Sequence, residues 1–327
     1  MKKILALLMV AVLMTAGLAG CGDKEDASSA GTAGGELKFT TGGDQGTYYG
    51  FGSVLAGQVS GSTDTKVTAI TSGGSKANIE AMEIDDAQLG FVQSDVMAYA
   101  YEGTNLFEGA AVEGFSTVAA LYMEQVQIVT CDPEIKTVAD LAGKNVSIGA
   151  PGSGVYFNAI DILGAYGMSE EDINPTYEDF GNSAESLQDG KIAAAFVVAG
   201  APTTAVTTLA TSKDVYLVSL DDEHIEKLIE ASPYYSKNVI TAGTYEGMTE
   251  DTTTVAVGAV VIARDDVSED DVYNFVSTVF ENVETITTAH AKGGELDLEF
   301  AASVTAVPYH PGAAKYFAEK GLDVATK

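Results

Sequence analysis

Positive charge is scarce in this chain. Its 327 residues hold 17 Lys and Arg against 47 Asp and Glu, a formal charge of −30, and a single arginine, Arg264. Phosphate backbones are gripped by Lys and Arg, so no nucleic-acid partner is expected. The acids are spread along the chain rather than gathered in a tail, and read as a solubilising surface. Histidine is equally thin. His224, His290 and His310 lie far apart, with no HExxH spacing, so neither a metal site nor a cofactor is expected. No GxSxG elbow occurs, and nothing nominates a catalytic residue. The glycine-rich stretch SIGAPGSGVYFNA (147–159) lacks the Lys of a nucleotide-phosphate loop after Gly154, and lacks a third glycine at Phe157 for a dinucleotide fingerprint.

The longest uncharged apolar run sits at the start. MKK precedes ILALLMVAVLMTAGLA, shorter than the about 20 residues of a spanning helix, and Leu18-Ala19-Gly20-Cys21 reads as a lipobox. Residues 1–20 are expected to be a lipoprotein signal peptide, with lipid attached at Cys21. An uncleaved anchor would equally leave the rest outside the cytoplasm. Removing the leader takes away Lys2 and Lys3 and no acid, so 47 acidic against 15 basic residues give −32. With Cys21 lipidated, Cys131 has no intrachain partner and reads as a small half-buried residue. Residues 21–35 contain no large apolar side chain and read as a flexible tether to the outer face of the membrane.

From Glu36 onward the chain alternates strand and helix patterns: ELKFTTG, then GTYYGFGSVLAGQVS, TKVTAITS, GGSKANIEAMEIDD, AQLGFVQS and DVMAYAYEG. The alternation resumes at KNVSIGA, FNAIDILGAYG, AAAFVVAG and APTTAVTTLA. This predicts two α/β units, each with a largely parallel sheet covered by helices. The apolar runs AALYMEQVQIVT and TTTVAVGAVVIARDD bracket the second unit and read as strands crossing between lobes. The expected division is lobe 1 at 36–127 and 256–327, and lobe 2 at 128–255, with a cleft between them. Four glycine-rich turns follow predicted strands, at Thr41-Gly42-Gly43, Ser72-Gly73-Gly74-Ser75, Pro151-Gly152-Ser153-Gly154 and Gly200-Ala201-Pro202-Thr203. Ligands of open α/β sheets sit at the carboxyl ends of strands, so these turns are expected to face one another.

The segments TGGDQGTYYGFG, TSGGSKANIEAM, GFVQSDVMAYAYEG, LAGKNVSIGAPGSGVYFNA, GKIAAAFVVAGAPTTAV and PYHPGAAKYFAEKG resemble, in order and spacing, the TAXI branch of solute receptors of tripartite ATP-independent periplasmic (TRAP) transporters. The resemblance runs from about Glu36 to Lys327. It implies a type II periplasmic-binding-protein fold that closes, as a monomer, around a small organic anion, a glutamate- or glutamine-like amino acid or a related carboxylate. It further implies delivery to integral TRAP permease subunits, driven by an ion gradient.

The ligand residues it implies in the first lobe are Gly43, Thr47, Tyr48 and Tyr49, with one tyrosine packing and the other, by slight preference Tyr49, reaching the cleft. Ser72, Gly74, Ser75 and Asn78 follow, with Ser75 either an N-cap or a contact. Gln93, Ser94 and Asp95 close that set, with Asp95 either a cap or a contact. In the second lobe it implies Gly152, Ser153, Gly154 and Asn158, then Gly200, Ala201, Pro202 and Thr203, with Tyr245 either walling the pocket or packing. His310 reads as structural. With one arginine in the chain, the anion is expected to be held by helix N-termini, hydroxyls and amides rather than by a guanidinium. Two other classes remain open on the same fold, a binding protein of an ABC importer or sensor, and an enzyme.

Overall fold

The computed structural model describes residues 36–327; the leader, Cys21 and the tether lie outside the described residues. Along β1 (Glu36–Thr40), Leu37 and Phe39 are buried while Glu36 and Lys38 are exposed, the alternation of a strand with one face on a core. Helix α1 (Thr47–Ser62) buries Tyr48, Phe51, Leu55 and Val59, spaced three and four apart. It lies close on the sheet because Gly52 carries no side chain; a Cβ there would stand 2.8 Å from Thr41 Cγ2.

The order continues through β2 (Lys66–Ile70), α2 (Ser75–Glu83), β3 (Leu89–Gln93), α3 (Ser94–Glu102) and β4 (Phe115–Thr130). The second half contains β5 (Asn145–Ser147), α4 (Val155–Ala165), β6 (Asn174–Thr176), α5 (Phe180–Gln188), β7 (Ala194–Ala199), α6 (Thr204–Ala210), β8 (Tyr216–Leu217), α7 (Asp222–Ala231) and β9 (Ser236–Ile240). The chain returns through β10 (Thr252–Arg264) to α8 (Glu269–Glu281), α9 (Val283–Ala289), α10 (Leu298–Ala301) and α11 (Pro311–Glu319).

Among the described residues the strands run β2-β1-β3-β10-β4-β7-β5-β6, with β8 beside β4 and β9 beside β10. The long strands β4 and β10 join the two halves. β4 pairs with β10 up to Gln125 and with β7 from Gln125 onward, while β10 leaves β4 for β9 at Ala256. The expected parallel pairing is found for β1 with β2 and β3, and for β5 with β6 and β7. It fails where β4 and β10 enter: each pairs antiparallel with its neighbours, because one leaves the first half as the other returns.

Both faces of the sheet are covered. In the first half Phe91 and Val261 point to a core with Phe39, Phe51, Phe275 and Phe317, while Val92, Val260 and Ile262 point to another with Ile79, Met82 and Met97. In the second half Phe196 and Val198 join Ile162 and Leu163, whereas Ala195 and Val197 join Val206 and Leu209. Each fully buried Phe or Leu contributes about 1.5–3 kcal/mol. Two-sided burial explains why β4 and β10 read as nearly continuous apolar runs.

Candidate functional site

The carboxyl ends of β1, β2, β3, β5 and β7 converge on one cavity of about 70 Å³. One water needs only ~10–15 Å³, so there is room for a small solute. Gly43, Ser72 and Gln93 line it from the first half; Ser153, Gly154 and Ala199 line it from the second. Five helices, α1 to α5, begin at its wall, α3 from Gln93 and α5 with the Asp179 side chain as its cap. The N-caps of α1, α2 and α4 are Gly46, Gly74 and Gly154, all lining residues, and none of the three helices has a side-chain cap. Away from the cavity, α7, α8 and α11 are capped by Asp221, Ser268 and His310. The uncapped first turns therefore turn N–H groups and positive helix ends toward the cavity, an arrangement that suits an anion. Ser153 Oγ is buried there without a hydrogen-bond partner.

Among the described residues no Lys, Arg or His lines the cavity. Arg264 stands at the far end of β10, bonded to Asp266 through Nε at 2.9 Å and Nη2 at 2.6 Å, and ion-paired to Asp85. The lining instead includes a carboxylate. Glu124 on β4 is 2% exposed, and its Oε2 accepts the Tyr48 hydroxyl at 2.5 Å. Burial pushes its pKa up to about 8; Asp95 adds to the rise, while the Tyr48 bond and Lys292 oppose it. Asp179 and Phe180, at the start of α5, complete the wall, with the Asp179 carboxylate accepting from Asn182 N–H at 2.8 Å.

The two halves touch around the cavity. Ala77 N–H donates to Gly152 O at 3.0 Å, Thr47 Oγ1 to Gly200 O at 3.0 Å and Ala205 N–H to Gln45 O at 3.2 Å. Gln93 Nε2 donates to Asn158 Oδ1 at 2.8 Å, and Asn158 Nδ2 donates to Asp95 Oδ2 and Tyr235 Oη at 2.8 and 2.7 Å. Tyr235 in turn donates to Asp161 Oδ2 at 2.9 Å. Burial, with Asp161 nearby, raises Asp95 to about 7, against opposing backbone and Asn158 hydrogen bonds. Gln93 Oε1 is left without a partner, packed so closely on Gly154 that a Cβ at 154 would fall 1.4 Å from it.

Of the residues singled out from sequence, the structure places Gly43, Thr47, Tyr48, Ser72, Gly74, Ser75, Gln93, Ser153 and Gly154 at the cavity. Tyr49 is outside it. Tyr48 reaches the cavity instead, stacked on Phe91 with its hydroxyl on Glu124, because position 48 is on the sheet-facing stripe of α1. Ser75 Oγ accepts Gln93 N–H rather than capping α2. Asn78 bonds Thr41 O and Phe91 O, and Ser94 Oγ accepts Gly258 N–H; both fasten elements behind the wall. Asp95, Asn158 and Gly152 serve the contact between halves. The turn at Gly200, Ala201, Pro202 and Thr203 packs behind Ala199, with Thr47 and Gln125 as its partners. Tyr245 is buried in a core, its hydroxyl accepting Thr203 N–H at 2.9 Å and bonded to Gln127 Oε1. His310 caps α11 through Nδ1.

Among the lining residues not anticipated are Glu124, Asp179 and Phe180. A lone acid within the apolar run AALYMEQVQIVT was the available signal for the first; only the packing of α5 brings in the other two. Among the described residues no group of three or more His, Cys, Asp or Glu could hold a metal, and no helix is long and apolar enough to cross a membrane.

Two α/β halves, joined by a pair of crossing strands and meeting over a cavity at the strand ends, define the type II periplasmic-binding-protein fold, the fold class of transporter solute-binding proteins. The chain belongs to the NMT1-like family, whose model matches residues 39–321. It is similar to a solved Bordetella bronchiseptica protein at 14% identity over 86% of this chain and 88% of that one, with a TM-score of 0.53. It is also similar to the periplasmic aliphatic sulphonate binding protein SsuA of Escherichia coli, at 17% identity over 87% and 90% of the two chains and a TM-score of 0.46. A third is an amino acid ABC transporter substrate-binding protein of Streptococcus pneumoniae, at 12% identity over 80% and 95%, with a TM-score of 0.47.

Proposed function

We propose that this protein is an extracytoplasmic solute receptor whose two halves close on a small organic anion, a glutamate- or glutamine-like amino acid or a related carboxylate, and hand it to an ion-gradient-driven TRAP permease. Three uncapped helix N-termini that start from glycine and meet at one cavity carry the reading, since each offers N–H donors and a positive helix end to a carboxylate. The ion-paired Arg264 at the far end of β10 favours binding by neutral dipoles. Lobe boundaries near residues 127 and 255 fit the change of partners at Gln125 and Ala256, where closure would bend β4 and β10. The lipobox at Cys21 would hold the receptor at the membrane, beside its permease.

A thermal-shift screen over amino acids and dicarboxylates tests the reading. A ligand at 100 times its Kd adds about 2.7 kcal/mol of stability. No shift with any carboxylate or amino acid, or a shift only with solutes that lack a carboxylate, overturns it. Uptake into vesicles carrying the TRAP permease should need the receptor and an ion gradient; uptake needing ATP instead would point to an ABC importer.

A further inference from the structure

We infer that Glu124 is the specificity-determining residue of the cavity, admitting solutes that bring an ammonium group to its carboxylate together with the carboxylate held by the helix N-termini; this rests on the receptor reading above. Glu124 sits 2% exposed in β4, among buried strand residues such as Tyr122 and Val126. An unpaired carboxylate is costly in such a place. Among the described residues its single hydrogen bond comes from Tyr48, leaving Oε1 free to take a further donor. The nearby Lys292 is not available: its Nζ is paired to Glu295 Oε1 at 2.5 Å and lies 5.5 Å from the centre of the Tyr122 ring. Gln93 also lines the cavity, but its Oε1 is buried against Gly154, which leaves Glu124 Oε1 as the acceptor open to a solute.

The cavity wall thus combines helix-end donors with one carboxylate oxygen, Glu124 Oε1, that takes no donor. A plain dicarboxylate satisfies the donors but brings no donor to Glu124 Oε1. An ammonium carries three donors and a positive charge, and can satisfy the Glu124 carboxylate. Its titratable or charged neighbours are Tyr48, Tyr122, Asp95 and Lys292, with Asp179 also on the cavity wall, and the Glu124 carboxyl holds its proton to about pH 8. An arriving ammonium should displace that proton. A second carboxylate would instead keep Glu124 protonated, or draw a proton in.

The test is titration calorimetry at pH 7 in two buffers of different ionisation enthalpy, with L-glutamate, L-glutamine and glutarate as probes, on the intact receptor and on Glu124→Gln. Both amino acids should bind with proton release and at least ~100-fold more tightly than glutarate, the scale of a buried charge pair. Glu124→Gln should weaken the amino acids by about 100-fold while changing glutarate by less than about 3-fold. Glutarate binding as tightly as L-glutamate, or proton uptake on binding, overturns the inference and leaves the receptor reading intact. Binding of none of the three overturns the receptor reading for this class of solute, and the inference with it. Proton counts on the unmodified receptor decide the matter even where the variant does not fold.

Discussion

Glu124→Gln also makes a stability experiment, because it replaces a buried titrating carboxyl by a neutral group of nearly the same shape. In the folded chain burial raises Glu124 from 4.5 to about 8. Between those pH values the unfolded chain has lost this proton and the folded chain has kept it. Stability contributed by the group is therefore full below about pH 4.5 and falls as pH rises toward 8. At ~1.4 kcal/mol per pH unit, the interval of about 3.5 units sets a ceiling of about 5 kcal/mol. For a folded body of this size that corresponds to a melting shift of about 10 °C. Asp95 also rises, to about 7, and gives both proteins a similar slope. The informative quantity is the difference between unmodified protein and variant, measured by urea unfolding from pH 4 to pH 9. The variant should gain on the unmodified protein steadily from about pH 4.5 to pH 8, and no further beyond. Parallel curves across the whole range would refute a buried, uncompensated Glu124.

Other substitutions probe the closure and the anchor. Gly154→Ala must push the Gln93 side chain away from a Cβ that would stand 1.4 Å from Oε1; it should cost about 1–3 kcal/mol and weaken ligand binding, checked by melting and calorimetry. Asn158→Ala removes the link among Gln93, Asp95 and Tyr235, leaving buried groups unpaired at about 1–3 kcal/mol, and small-angle scattering with saturating ligand should give a larger radius of gyration than the unmodified protein. Arg264→Gln loses ion pairs with the exposed Asp85 and Asp266, worth under about 1 kcal/mol, and should leave the ligand Kd unchanged. Cys21→Ser should move the protein from the membrane to the soluble fraction; firm membrane retention would exclude the lipid anchor.

Local chemistry alone carries much of this protein. Strand and helix periods, the glycine turns after strands and the two long apolar runs depend on near neighbours in the chain, so they can be read without knowing the fold. The same reading could place Gly43, Gly74, Ser153 and Gly154 together, because ligand turns of α/β units gather at strand ends. It could not decide between Tyr48 and Tyr49, one residue apart, because which one faces inward follows from how α1 lies on the sheet over Gly52. Nor could it see that Asp95 and Asn158, 63 residues apart, bond one another across the two halves. Glu124 is the sharpest case. Its sequence marks it as a lone acid in an apolar strand, but burial, the Tyr48 hydroxyl, the raised pKa and the place at the cavity wall arise only when β4 is covered by α1 and joined by β7. An ionisable group acquires its chemistry from what desolvates it and what charge stands near it, and both are supplied by residues far away in the chain.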